Sequence, residues 1–136
     1  MTIPARTLWA YRRTTYEAGG IAVRIGWRAR GMDGLLRAHG CRTGVFITAW
    51  NPRSRRMPPG WNRRRQIALA ERLRGVTVLV AQGAWRGWHE AHLLVLDPPG
   101  RVRRLARLFR QHAVVQVRIG QRARLIGTSG CDSRTA

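Results

Sequence analysis

From Val45 onward the chain alternates short apolar runs with amphipathic stretches, and this order constrains the fold more than any other feature of the sequence. The apolar runs are typical of buried strands, whereas Val102, Ala106 and Phe109 recur at the spacing of one helix face. The predicted order is β-α-β-β-α-β, which is the order of a ferredoxin-like α+β sandwich with two layers. The strands are predicted at Val45–Ala49, Val76–Ala81, Ala91–Leu96 and Ala113–Ile119, and the helices at Trp61–Arg74 and from Asp97 onward.

Shorter elements are predicted on either side of this unit. Gly19-Gly20 separates two runs of strand-forming residues, which is the pattern of a β-hairpin. The segment Gln82–Glu90 contains glycine and tryptophan and is interpreted as a loop, and Val76–Ala81 is interpreted as a strand buried on both faces. The flanking elements are a helix near Leu8, hairpin strands at Thr14–Glu17 and Ile21–Ile25, a helix over Met32–Ala38, and a short strand over Ala123–Ile126.

At 136 residues the chain has the length of one domain. We predict a single α+β domain over residues 1–127 and a polar C-terminal tail over residues 128–136. No apolar run approaches the ~20 residues that span a bilayer, and Met1–Thr15 lacks the apolar segment of a signal peptide. Cys41 and Cys131 are too few and too far apart for a disulfide framework. The expectation is a cytoplasmic protein without a membrane span.

The charge balance of the chain is far from neutral. All 26 basic residues are arginine and only six residues are acidic, so the formal net charge is +20. The hydrophobic fraction of 44% is nevertheless that of a globular domain. A surface this positive attracts nucleic acid, anionic membranes or acidic proteins over long range. A coding bias would explain arginine in place of lysine, but it leaves the shortage of acids unexplained.

Polar side chains cluster around the junction between the first strand of the β-α-β-β-α-β unit and the helix that follows. Thr48 and Asn51 follow the strand, and Asn62 begins the helix. These ends are neighbours in a β-loop-α unit, and a helix N-terminus offers free N–H groups to an anion. The alternative is structural, with the amides satisfying turn and backbone groups. The predicted ligand-binding residues are Thr48, Asn51, Ser54, Asn62, Gln66, Trp88 and Gln111.

Glu90 is the candidate catalytic residue, because a carboxylate beside Trp88 could act as a general base or bind a ligand hydroxyl. In so arginine-rich a chain, an ion pair is the favoured alternative. His89 and His92 are one residue short of a zinc-binding spacing, and residues three apart on a strand point to opposite faces. We therefore predict no metal and no cofactor.

Arginine also clusters in short runs that lie near tryptophan residues. Arginine forks bind phosphate through paired hydrogen bonds, and tryptophan faces stack on bases. The alternative is a solvated basic surface with tryptophan in the core. The predicted polyanion-binding residues are Arg53, Arg55, Arg56, Arg63 and Arg64.

Four ordered motifs along the chain carry a resemblance to a known family. They are the segment Thr48–Pro52 with Ser54, then Asn62, then Trp88-His89-Glu90, and finally Phe109–Ala113. In this order they resemble an uncharacterised family of small bacterial proteins marked by a Thr-Ala-x-Asn-Pro motif. The resemblance extends from Tyr11 to Ile126. It implies membership of a domain family of unknown function, and it implies no particular activity.

Two functions follow from these features and remain open at this point. The first is a basic binding module that holds RNA or another polyanion through its arginine-rich loops. The second is an enzyme or binder of a nucleotide or a sugar-phosphate-like small ligand at the polar cluster with Glu90.

Overall fold

The structure is a computed structural model that describes residues 3–97 and 99–129. Within those residues it contains four α-helices, seven strands and one 3₁₀ turn, which confirms the predicted α+β class. The helices are α1 (Ala5–Arg13), α2 (Arg30–Ala38), α3 (Pro59–Arg72) and α4 (Pro99–Leu108), and the 3₁₀ turn is Pro52–Ser54. The strands are β1 (Thr15–Ala18), β2 (Ile21–Val23), β3 (Thr43–Ile47), β4 (Val78–Trp85), β5 (Trp88–Val95), β6 (Ala113–Arg118) and β7 (Arg124–Gly127).

The seven described strands form one sheet in the order β2-β1-β4-β5-β3-β6-β7, and neighbouring strands are antiparallel. The sheet is curled, because an isolated bridge between Ile25 and Ala123 joins the chain after β2 to the chain before β7. The Gly26 N–H donates to the Ala123 carbonyl at 2.8 Å beside this bridge. The two edges of the sheet therefore meet at one end.

Each face of the sheet has its own hydrophobic core. Leu36 of α2 lies in one core, and Leu69 of α3 and Val102 of α4 lie in the other. Helices thus cover both faces, which corrects the two-layer prediction. The reason is that Val45–Ile47 and Leu93–Val95 are buried at consecutive positions, so both faces of these central strands need a covering layer.

The predicted loop at Gln82–Glu90 is wrong, because these residues complete a hairpin of β4 and β5. Trp85 pairs with Trp88 across a turn made by Arg86-Gly87, whose φ angles are 49° and 77°. Positive φ at both turn residues gives the twist that a two-residue hairpin requires. The turn escapes sequence reasoning because arginine is not a residue that this turn type favours.

The prediction that β4 is buried on both faces is also wrong. Val80 is 86% exposed. The helices on that face, α3 and α4, pack against β5, β3 and β6 and leave this part of β4 open. An apolar strand sequence therefore does not require two covered faces here.

The chain after β7 begins with an anchored residue. Thr128 is buried, and its hydroxyl and N–H donate to the carbonyls of Gln111 and His112. The rest of the predicted tail, from Gly130 to its end and including Cys131, lies outside the described residues. The division into a domain over residues 1–127 and a tail stays a prediction.

Candidate functional site

A cavity of about 480 Å³ lies between α1 and the sheet. This volume is within the range of small-molecule binding sites. Strands β1, β4 and β5 and the loop that follows β3 contribute to its walls. Among the residues predicted from the sequence, the lining includes Thr48, Asn51, Ser54, Arg56, Trp88, Glu90 and Gln111.

Strand β5 contributes three side chains to the cavity. Trp88, Glu90 and His92 all line it, because alternate residues of a strand point to the same face. Gly83 and Trp85 of the neighbouring strand β4 line it as well. This period of two would have added His92 to the predicted site. It was missed because the segment Gln82–Glu90 was interpreted as a loop.

The Glu90 carboxylate is held by neutral donors. Its Oε2 accepts hydrogen bonds from Asn51 Nδ2 at 2.8 Å and from Trp88 Nε1 at 3.0 Å. The Asn51 amide can face only this way, because its Oδ1 accepts from the Met57 N–H at 2.9 Å and a backbone N–H only donates. The favoured ion pair is not observed: no arginine in the described part of the chain forms a salt bridge with Glu90.

The loop between β3 and α3 has an unusual backbone. Asn51, Arg53 and Ser54 have φ angles of 46°, 54° and 62°, in the left-handed region. This conformation costs a residue other than glycine about 1–2 kcal/mol, although asparagine tolerates it better than most. The Arg53 N–H donates to the Arg110 carbonyl at 2.7 Å and ties the loop to the end of α4. Contacts of this kind maintain a loop shape that the backbone alone would not favour.

Asn62 and Gln66 of α3 form hydrogen bonds with this loop and with the end of β3, and they do not line the cavity. Asn62 is 1% exposed, and its Oδ1 accepts from the Asn51 N–H at 3.0 Å. Its Nδ2 donates to Asn51 Oδ1 at 2.9 Å and to the Met57 carbonyl at 3.2 Å. Gln66 Oε1 accepts from the Ala49 N–H at 2.9 Å. Both amides satisfy buried loop groups, which is the structural alternative considered from the sequence.

Thr48 and Gln111 position Trp50, a lining residue that is not among the predicted ligand-binding residues. The Thr48 hydroxyl donates to the Ala91 carbonyl at 2.6 Å and accepts from the Trp50 N–H at 3.0 Å. Gln111 Nε2 donates to the Trp50 carbonyl at 3.1 Å. The backbone of Trp50 is therefore fixed on both sides.

His92 is a buried residue of this site. Its Nδ1 lies 3.1 Å from the Glu90 carbonyl, and since a carbonyl only accepts, Nδ1 carries the hydrogen. Burial lowers the pKa of His92, and the charge of Glu90 opposes this effect without cancelling it. Near pH 7 the imidazole is therefore neutral, with an unprotonated Nε2.

Two tyrosines from the N-terminal segment complete the walls. Tyr11 of α1 donates its hydroxyl to the Ala113 carbonyl at 3.4 Å, and Tyr16 of β1 packs its ring against His92 at 5.4 Å between centroids. Burial raises the pKa of both phenols, so they remain protonated. No motif marks these tyrosines in the sequence, because only the fold brings α1 and β1 to the cavity.

Of the five arginines predicted to bind a polyanion, Arg56 lines this cavity. Its guanidinium lies over the Trp88 ring, 4.6 Å from the centroid. Arg86, which was not predicted, lies over the Trp85 ring at 5.3 Å and also lines the cavity. The other four predicted arginines are exposed and outside this lining: Arg53, Arg55, Arg63 and Arg64.

Among residues 3–97 and 99–129, no group of three or more His, Cys, Asp or Glu side chains could hold a metal ion. In the same part of the chain, no helix is long and apolar enough to cross a membrane.

Together, the fold and the site define an α+β protein with a ligand-sized cavity that is lined by aromatic and polar side chains. Residues 47–114 match the family DUF3293, described as a protein of unknown function, and the chain belongs to this family. The matched segment runs from the end of β3 into β6 and so carries Glu90 and His92, whereas α1 and β1 lie outside it. No curated protein and no solved structure matches the chain.

Proposed function

We propose that this protein binds a small ligand of the nucleotide type, with a flat aromatic ring and a phosphate group, in the cavity under α1. The observation that carries the proposal is the meeting of tryptophan rings, two arginines and the Glu90 carboxylate in a single cavity of about 480 Å³. Few small ligands match all three kinds of group at once, and a nucleotide does.

The aromatic lining supports the ring of such a ligand. Trp50, Trp85 and Trp88 all border the cavity, and Trp88 is 37% exposed. A stacked base gains about 1–3 kcal/mol on an aromatic side chain. The Trp88 indole is also fixed, because its Nε1 donates to Glu90.

The two arginines support the phosphate. Arg56 and Arg86 are exposed, and each guanidinium lies over a tryptophan ring. Stacking leaves the edge of the guanidinium plane open, and that edge binds two phosphate oxygens at once. A cytoplasmic location, where nucleotides are abundant, is part of this proposal.

The ferredoxin-like arrangement of the central unit is also a proposal. The chain order β3-α3-β4-β5-α4-β6 and the sheet order β4-β5-β3-β6 support it. In this arrangement the cavity lies beside the end of β3, where the chain leaves the sheet for α3.

Thermal unfolding with adenosine 5′-monophosphate tests the proposed function. A ligand at 100 times its Kd stabilises the folded state by about 2.7 kcal/mol, so the midpoint temperature rises. Arg56→Gln should weaken binding about tenfold, because it removes a charged contact to phosphate. The matched control is Arg63→Gln, which removes the same charge from an exposed position outside the cavity. No stabilisation of the wild type, or equal losses in both variants, would refute the proposal.

A second candidate function is the holding of RNA or another polyanion on the outer surface. The observation that favours it is that the five predicted residues are all exposed: Arg53, Arg55, Arg56, Arg63 and Arg64. Such binding would be steeply salt-dependent and would weaken uniformly when the 53–56 loop is neutralised. Fluorescence anisotropy of labelled single-stranded RNA, with heparin as competitor, measures both effects. An RNA affinity that changes neither with salt concentration nor on neutralising the 53–56 loop would exclude this function.

A further inference from the structure

Three side-chain donors of the cavity lining are already used in hydrogen bonds within the protein. Asn51 Nδ2 donates to Glu90, and the Thr48 hydroxyl donates to the Ala91 carbonyl. The Tyr11 hydroxyl donates to the Ala113 carbonyl. A ligand group that reaches these three side chains meets groups whose protons are directed elsewhere.

Two acceptor atoms remain on the face of β5 that lines the cavity. Both hydrogen bonds to the Glu90 carboxylate end on Oε2, and Oε1 has no hydrogen-bond partner among the described residues. His92 has its hydrogen on Nδ1, bonded to the Glu90 carbonyl, so Nε2 carries a lone pair. Nε2 likewise has no partner in residues 3–97 and 99–129.

The two residues are two positions apart on one strand, so their side chains project side by side. An amino group on an aromatic ring has two N–H bonds that diverge in the ring plane, and it can donate one to each acceptor. A ring carbonyl at the same place would bring its oxygen, which is also an acceptor, next to both acceptors. Neither Glu90 nor His92 would then receive a hydrogen bond from that group.

We infer that Glu90 and His92 together select a ligand whose buried ring carries an amino group, as in adenine or cytosine, over one with a carbonyl there, as in hypoxanthine or uracil. This inference rests on the proposed function, since it assumes that a base enters the cavity. It adds the chemical class of the base and assigns a specificity role to His92.

Gly83 supports this role, because it leaves room for the imidazole. A Cβ at position 83 would lie 2.9 Å from His92 Cε1 and 3.3 Å from Nδ1. Both distances are shorter than ordinary contacts, so a side chain at this position would displace the ring. The backbone of β4 thereby helps to fix the direction of Nε2.

The test compares adenosine 5′-monophosphate with inosine 5′-monophosphate on the wild-type protein. The two probes share phosphate and ribose and differ at the amino group and its adjacent ring nitrogen, so the ratio of their Kd values isolates the recognition of the base. Quenching of intrinsic tryptophan fluorescence measures both constants, because three tryptophans line the cavity. We expect the adenosine nucleotide to bind at least tenfold more tightly.

The variants assign the preference to its residues. His92→Phe keeps a flat ring against Tyr16 and removes one of the two acceptors, so it should lower the ratio. Arg56→Gln should weaken both nucleotides equally and leave the ratio unchanged, since it acts on the shared phosphate. A His92→Phe variant that does not fold leaves the wild-type ratio as the decisive measurement.

The outcomes separate this inference from the proposed function. Equal binding of the two nucleotides, with loss of both in Arg56→Gln, would overturn the inference and leave the proposed function intact. Binding of neither nucleotide would overturn both. A wild-type preference that persists unchanged in a folded His92→Phe protein would overturn the role of His92.

Discussion

The replacement of Asn62 by alanine tests the loop that shapes the cavity. The side chain is 1% exposed and makes three hydrogen bonds, to the Asn51 N–H, Asn51 Oδ1 and the Met57 carbonyl. Each hydrogen bond contributes about 1 kcal/mol net, and a buried group left without a partner costs about 1–3 kcal/mol. Alanine recovers about 0.5 kcal/mol through its higher helix propensity. The expected loss of unfolding free energy is therefore about 2–3 kcal/mol.

Urea unfolding followed by circular dichroism measures this loss. With the m-values of about 1–3 kcal/mol/M that are usual for small domains, the midpoint should fall by about 0.7–3 M at an unchanged slope. The control is Arg64→Ala, an exposed residue of the same helix, which should change stability by less than about 0.5 kcal/mol. A loss below about 1 kcal/mol for Asn62→Ala would refute the reasoning, because it would mean that water satisfies the loop as well as the amide does.

Three further predictions concern packing and pH. Gly83→Ala places a Cβ 2.9 Å from His92 Cε1 and should destabilise the fold by about 1–3 kcal/mol in the same urea assay; unchanged stability would contradict the packing described for this site. Burial raises the pKa of Asp33, but hydrogen bonds from the Gly120 N–H and Arg28 outweigh it and hold that pKa below its usual value of about 4. As pH falls, the unfolded chain therefore binds the proton before the folded protein does, and stability is lost below about pH 4. In Asp33→Asn the midpoint temperature of thermal unfolding should depend less on pH in that range. The pKa of His92 is lowered below about 6.5, so stability is lost as pH falls below that value. In His92→Phe the midpoint temperature should therefore fall less between pH 7 and pH 5 than in the wild type. An equal fall in both proteins would argue against a buried neutral imidazole.

Patterns that depend on local periodicity were predicted well. The stripe of α4 places Val102, Ala106 and Phe109 in the core, and Gly19-Gly20 forms the turn between β1 and β2. The polar cluster around Asn51 was predicted because a strand end and the next helix start are neighbours in any β-loop-α unit. These features need only a few consecutive residues, and tertiary packing does not override them.

Other features depend on contacts between distant segments. The Arg86-Gly87 turn lacks a typical turn sequence, so the hairpin and the alternating face of β5 were missed together with His92. Tyr11 reaches the cavity only because α1 folds back over the sheet. The neutral partners of Glu90 were also unexpected, because composition alone favours an arginine as partner.

The position of Glu90 separates the two functions that the sequence left open. A chain with 26 arginines and six acids offers this carboxylate many cationic partners, yet its oxygen is engaged by an asparagine amide and a tryptophan indole. A phosphate that approached this carboxylate would be repelled, so a polyanion bound along the outer arginines gains nothing from Glu90. A ligand that donates hydrogen bonds at one end and carries phosphate at the other gains from Glu90 and from the arginines at once. Glu90→Gln should therefore weaken nucleotide binding and leave heparin binding unchanged or stronger. A loss of nucleotide binding without a loss of heparin binding would assign the cavity and the outer arginines to different ligands.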